Sequence, residues 1–152
     1  MIMHKLWARP KSMFSAFVYD FIGKTELALE AYEASVPPLE AMVQKWPQDP
    51  RYHSSLGLAY AALGRKEEAI RQGKKAIELL PLSKDAEYGQ AYEMDMILIY
   101  IMVREFDAAI DKIEFLLSRP AWLSIGWMKF DLRYRPLYGD PRFERIVRKY
   151  SE

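Results

Sequence analysis

The chain has 152 residues, 51% of them hydrophobic and 14% aromatic, with 22 Lys and Arg against 21 Asp and Glu. That length is one domain or one compact repeat array, and the apolar content excludes a disordered tail. A formal charge of +1 gives no global pull toward nucleic acid or membrane, and the lack of cysteine excludes disulfides, thiolate catalysis and Cys-ligated zinc.

The opening stretch "MIMHKLWARPK" carries basic residues but no continuous apolar run or small-residue cleavage site, so it does not read as a signal peptide. Met13, Phe14, Phe17 and Phe21 recur at helical spacing and predict a first helix. Gly23-Lys24-Thr25 then has the form of the tail of a phosphate-binding loop. That loop needs a glycine five positions earlier, where Val18 stands, and a strand before it. A helix-ending turn is expected instead, because glycine enters left-handed backbone cheaply. The next helix runs through "TELALEAYEASVPPLEAMVQKWP", and Pro37 and Pro38 should kink or split it near Ser35-Val36.

Asp49-Pro50 supplies an N-cap and a first-turn proline for a helix that Gly64 ends. A partner helix carries Ala69 and Ala76 and stops at Pro81. Beyond the loop "LSKDAEYG", Met96, Ile97 and Tyr100 predict another helix, and Ala109 lies on its partner, which stops at Pro120. The apolar run "MILIYIMV" is too short to span a bilayer and is flanked by Asp95 and Arg104. After Pro120 a short helix over 122–130 and a last helix over 141–150 are expected, the second capped by Asp140-Pro141.

Three segments align: "FVYDFIGKTELALEAY", "LAYAALGRKEEAIRQG" and "LIYIMVREFDAAIDKI". In each, a tyrosine is followed nine residues later by an alanine: Tyr19 and Ala28, Tyr60 and Ala69, Tyr100 and Ala109. Gly23 and Gly64 then hold equivalent turn positions. In the middle copy, Leu56-Gly57, Tyr60, Ala69, Ala76 and Pro81 fall at fixed offsets, and the segment resembles a tetratricopeptide repeat. His53 stands where that family has tryptophan, with a packing role expected, and Gly73 where it has a large residue. The expected fold class is all-α, an α-solenoid of three such repeats over about 10–48, 50–82 and 86–120, with a C-terminal cap over 121–150. The run "PLYGDPRFERIV", preceded by "LRYR", further resembles the closing segment of tetratricopeptide regions in bacterial multidomain signalling proteins. In those proteins the array follows a kinase, a cyclase or a winged-helix domain. The resemblance implies the C-terminal scaffold or regulatory module of a longer protein, and the lack of cysteine fits a reducing cytoplasm.

Acidic residues such as Glu67, Glu68, Asp107, Asp111 and Glu114 sit where solvated helix faces need them, and no nucleophile–base set stands out. With histidine confined to His4 and His53, no metal and no cofactor is expected, and the chain is read as non-enzymatic. Aligning the copies places Met13, Phe17 and Phe21, then Ser54, Leu58 and Ala62, then Met94, Leu98 and Met102 on one concave groove. The groove lacks the Lys, Asn and Arg with which some family members clamp a peptide carboxylate, and its methionines suit an irregular partner. A protein or peptide partner is expected, in the form of an amphipathic helix, with neither nucleic acid nor membrane involved. The alternative is self-association into a homodimer that orders a neighbouring domain. Part of the groove is expected to be covered by the chain's own segment 122–138.

Overall fold

The computed structural model describes residues 1–3 and 7–151; His4, Lys5, Leu6 and Glu152 lie outside the described residues. Strands β1 (Ile2–Met3) and β2 (Ala8–Arg9) pair antiparallel, Ile2 opposite Arg9 and Met3 opposite Ala8. Helices α1 (Lys11–Phe21) and α2 (Thr25–Glu33) form the first pair, and α3 (Val36–Lys45) follows α2 after a break. The second pair is α4 (Pro50–Ala62) with α5 (Lys66–Leu79), the third α6 (Gly89–Met102) with α7 (Phe106–Leu117). The tail holds α8 (Ile125–Phe130), a 3₁₀ helix (Leu132–Leu137) and α9 (Pro141–Lys149). The fold is an all-α helical repeat; the short strand pair and the 3₁₀ helix are additions that the helical periodicity did not signal.

The tyrosine–alanine phase becomes a repeated turn. The amide of Lys24 donates to the Tyr19 carbonyl at 2.8 Å, that of Arg65 to Tyr60 at 2.9 Å and that of Glu105 to Tyr100 at 2.8 Å. Inside each lies a second bond of 3.1 Å, from Gly23 to Asp20, Gly64 to Ala61 and Arg104 to Ile101. This nested pair satisfies carbonyls that a helix end leaves without partners. It also requires a left-handed residue, and φ is 73° at Gly23, 73° at Gly64 and 63° at Arg104. Each turn delivers a fully buried or nearly buried alanine, Ala28, Ala69 or Ala109, against the preceding helix.

Between α2 and α3 the chain breaks where the prolines require it. Pro37 and Pro38 fall in the first turn of α3, where a missing amide breaks no helical hydrogen bond. The hydroxyl of buried Ser35 donates to the Ala31 carbonyl at 2.8 Å and lies 2.8 Å from the Ser12 hydroxyl, tying the break to α1.

Helices α4 and α5 approach closely. A Cβ added to Gly57 would stand 3.1 Å from the Ala69 carbonyl oxygen and 3.1 Å from the Gly73 nitrogen, both backbone atoms. It would also stand 2.9 Å from Cδ1 of Ile99 on α6. At Gly73, where a large residue is missing from the repeat pattern, the space is filled from the next pair: a Cβ there would meet Met96 Sδ at 2.5 Å and Ile99 Cδ1 at 2.8 Å. The two glycines thus form a notch that receives α6. His53 is buried on α4, with Nδ1 2.6 Å from Gln72 Oε1 and Nε2 2.9 Å from the Pro47 carbonyl, so it fastens α5 and the preceding loop to α4.

Helix starts follow their acids. Asp49 accepts from the Arg51 amide at 3.0 Å and from its guanidinium, and Asp140 accepts from the amides of Arg142 and Phe143. Burial pushes the Asp49 carboxyl up, but the Arg51 hydrogen bonds outweigh it and hold it below the usual carboxylate value. The tail folds back on the third pair. Phe143 and Ile146 of α9 are buried, Phe143 stacks on Tyr138 at 6.0 Å, and Arg142 and Lys149 pair with Asp107, Asp111 and Glu114 of α7. The buried Gln90 side chain on α6 accepts from the Trp122 amide at 2.6 Å and donates to the Ala86 carbonyl, pinning the start of the tail.

Two outcomes follow for stability. Gly57→Val places methyls against backbone atoms that cannot yield, and is expected to lower stability by about 1–3 kcal/mol in urea unfolding. Arg104→Gly relieves left-handed backbone and is expected to raise stability by about 1 kcal/mol, a melting shift of about 2–4 °C measurable by calorimetry.

Candidate protein-binding groove

Helix α4 packs against α2 and α3 and also against α6. The nine groove residues read from the sequence divide by exposure. Met13, Ser54, Leu58 and Leu98 are buried, Phe17, Ala62, Met94 and Met102 are half-buried, and Phe21 is 72% exposed. Phe17, Phe21, Leu98 and Met102 are brought together along one cleft of ≈ 850 Å³. Met13, Ser54, Leu58, Ala62 and Met94 do not line it. Its other walls come from Tyr32 on α2, Ile101, Phe106 and, on the tail, Leu132 and Pro136 of the 3₁₀ helix. Tyr134 and Leu137 of that helix are buried, so the tail covers part of the groove.

The N-terminal strand covers another part, which the sequence did not signal. β2 packs on α4, with Ala8 wholly buried. The Arg9 guanidinium donates through Nη2 to Asp95 of α6 at 3.2 and 3.3 Å, and the Ser54 hydroxyl of α4 donates to the same carboxylate at 2.6 Å. The two charged side chains are only 12% and 14% exposed. Arg9 also lies 5.6 Å from the Trp7 ring centroid and 5.3 Å from that of Phe17, within cation–π range. Trp7, Phe14, Phe17 and Tyr32 continue edge to face at 5.4, 6.4 and 6.1 Å.

Two acids of the cleft are already engaged. Asp20 accepts from the Tyr32 hydroxyl at 2.7 Å. Burial first, and then that hydrogen bond, push the Tyr32 phenol far above its ordinary value, so it stays a neutral donor. Asp131 caps the 3₁₀ helix by accepting from the Arg133 amide at 3.1 Å and from its guanidinium at 2.6 Å. Burial raises the Asp131 carboxyl, yet the Arg133 bonds prevail and hold it low. Arg104, exposed at the turn after α6, completes a rim of mixed charge. Such a surface can hold apolar side chains and orient charged ones. A shallower depression along α5 is flanked by Lys66, Glu67, Arg71, Lys74 and Lys75, solvated chains without a comparable aromatic wall.

Among the described residues no group of three or more His, Asp and Glu side chains could hold a metal ion. No helix among them is long and apolar enough to cross a membrane. Arg9, Asp20, Tyr32, Asp95 and Arg133 were not read as groove residues. The one available signal was Asp95, a lone acid bordering the apolar run of α6.

Residues 50–83 match the family described as the tetratricopeptide repeat. The segment matched contains α4 and α5, so the second helix pair is similar to one such repeat. No curated protein and no solved structure matches the chain.

The Asp95 pairing can be measured directly. Asp95→Ala leaves the Arg9 guanidinium and the Ser54 hydroxyl without their acceptor in a half-dry pocket, with an expected loss of about 2–3 kcal/mol. Urea unfolding reads that loss, and an unchanged midpoint would show that the pair is dispensable.

Proposed function

We propose that the protein is a non-enzymatic protein–protein interaction module, and that the cleft beside Phe21 is where its partner docks. The observation that carries this reading is the cleft itself: an apolar and aromatic trough of ≈ 850 Å³ left open between α1, α6 and the tail, with Phe21 72% exposed at its edge. Exposed apolar surface beside a concave wall is a common mark of a docking site. Tetratricopeptide repeats generally mediate protein–protein contacts, and the match over residues 50–83 supports the same role here. The rim of Asp20, Arg104, Asp131 and Arg133 would orient the partner through charge of both signs. The module would serve as a scaffold or regulatory region of a cytoplasmic bacterial signalling protein, without a bound cofactor.

Self-association is the second reading, and one observation favours it. Val18 on α1 and Ile22 just past its end are 57% and 54% exposed, whereas Ala59 and Ile99, equivalent to Val18, are buried, and Leu63 and Val103, equivalent to Ile22, are half-buried. A homodimer through this edge would cover Val18 and Ile22.

Phe21→Ala removes an exposed ring without disturbing the core, and Met102→Glu sets a charge in the trough. Both are expected to weaken partner capture at least tenfold; Phe21→Ala should leave the melting temperature within about 2 °C, as exposed substitutions normally do, and Met102→Glu, at a half-buried position, should lower it further. The measurement is capture by the full chain from native lysate, followed by calorimetric titration of the purified partner. Undiminished binding by both variants rules the cleft out, and a concentration-dependent dimer in sedimentation, lost in Val18→Glu, favours the second reading.

A further inference from the structure

The strand β2 lies on the groove as a ligand's backbone would, and one of its side chains is received by a built socket. Arg9 reaches across from the N-terminal pair of strands to Asp95, which Ser54 holds in place from the neighbouring helix. Trp7 and Phe17 flank the guanidinium. The fit is incomplete: Arg9 Nε is buried and has no hydrogen-bond acceptor, and the cleft that Arg9 borders continues unfilled past Phe17 toward Leu98 and Met102. A two-residue strand pair has little stability of its own. A buried ion pair adds little net stability, because desolvation offsets its attraction.

We propose that β2 is a displaceable stand-in, and that the groove between α4 and α6 receives an extended, arginine-bearing segment of a partner protein. The arginine of that segment takes the Asp95–Ser54 socket, and an apolar side chain beside it enters the open cleft. This rests on the docking role proposed above and adds the chemistry of the partner. An extended backbone is specified because a strand, not a helix, already lies against α4. Arginine is specified because its flat, weakly hydrated guanidinium reaches both oxygens of Asp95 through Nη2 while lying within cation–π range of an aromatic wall, a site less suited to the compact, strongly hydrated ammonium of lysine.

The test uses the full chain with Ala8→Glu and Arg9→Glu together. The first puts a carboxylate where a fully buried methyl lies, and the second sets a carboxylate against Asp95, so β2 is expelled. Circular dichroism verifies that the helices persist. The probe is a fluorescein-labelled peptide of residues 1–12, followed by anisotropy. The expected result is binding to the double variant at least tenfold tighter than to the wild-type chain. Loss is expected when the peptide carries Arg9→Ala, or when Asp95→Asn is added to the variant. Equal binding by both chains, or none by either, overturns the proposal. Hydrogen exchange on the unaltered chain gives an independent reading: amides of residues 7–9 should exchange at least tenfold faster than those in the middle of α4. Equal protection would show a fixed strand and also overturn the proposal. A native partner that needs Phe21 but tolerates Asp95→Asn, a helical one included, leaves the docking role intact and sinks only the arginine socket. Loss of both peptide binding and Phe21 dependence sinks both.

Discussion

The approach of α4 to α5 at Gly57, Ala69 and Gly73 is the constraint from which the rest of the molecule takes its position. Close packing rewards contact only where no side chain holds the backbones apart, and two glycines and an alanine leave room for it. The vacancy is not empty, because Ile99 and Met96 occupy it from α6. That insertion sets where α6 lies, and α6 in turn carries Asp95, Leu98 and Met102 into the groove and Gln90 to the start of the tail. A change at the notch would be felt on the concave surface although no notch residue lines the cleft.

Two kinds of contact close the array, and they differ in what they contribute. On the concave side the chain covers itself with apolar and half-buried polar groups: Ala8, Arg9, Tyr134 and Leu137. At the C-terminal end, Phe143 and Ile146 supply buried area, while Arg142 and Lys149 meet three acids in water. Such exposed ion pairs orient an element more than they stabilise it, since solvent screens the attraction and ordering long side chains opposes it. The apolar contacts hold α9 on, and the charges choose the angle at which it sits.

How much of this was legible in the sequence depended on range. The turns were readable because their requirements are local: a tyrosine, a left-handed residue and an alanine at fixed offsets reproduce the same hydrogen bonds three times. The break at Ser35 was readable from two prolines, and the starts of α4 and α9 from Asp-Pro steps. The groove was only half readable. Helical periodicity places Phe17, Leu98 and Met102 on an inward side, but it cannot tell that Met13 and Leu58 are sealed beneath other side chains. Arg9 and Asp95 stand 86 residues apart, and no pattern within either segment announces their meeting. The 3₁₀ helix escaped because "LRYRPL" has neither the length nor the period of an α-helix and is held by its Asp131 cap and by packing of Tyr134 and Leu137.

The third turn departs from the other two in a way that links stability to recognition. Glycine would suit the left-handed backbone there as it does at Gly23 and Gly64, yet the position holds Arg104 at φ 63°. Its side chain stands at the rim of the cleft, where a glycine would leave no charge. Non-glycine residues held in this region carry strain, and they concentrate where a site has use for the side chain. The fold thus gives up a fraction of its reserve at a turn whose left-handed residue itself lines the groove. An effort to harden this protein by restoring the turn consensus would act on its most obvious weak point and, in the same step, strip the rim of a cation. Here the least comfortable backbone and the most useful side chain belong to the same residue.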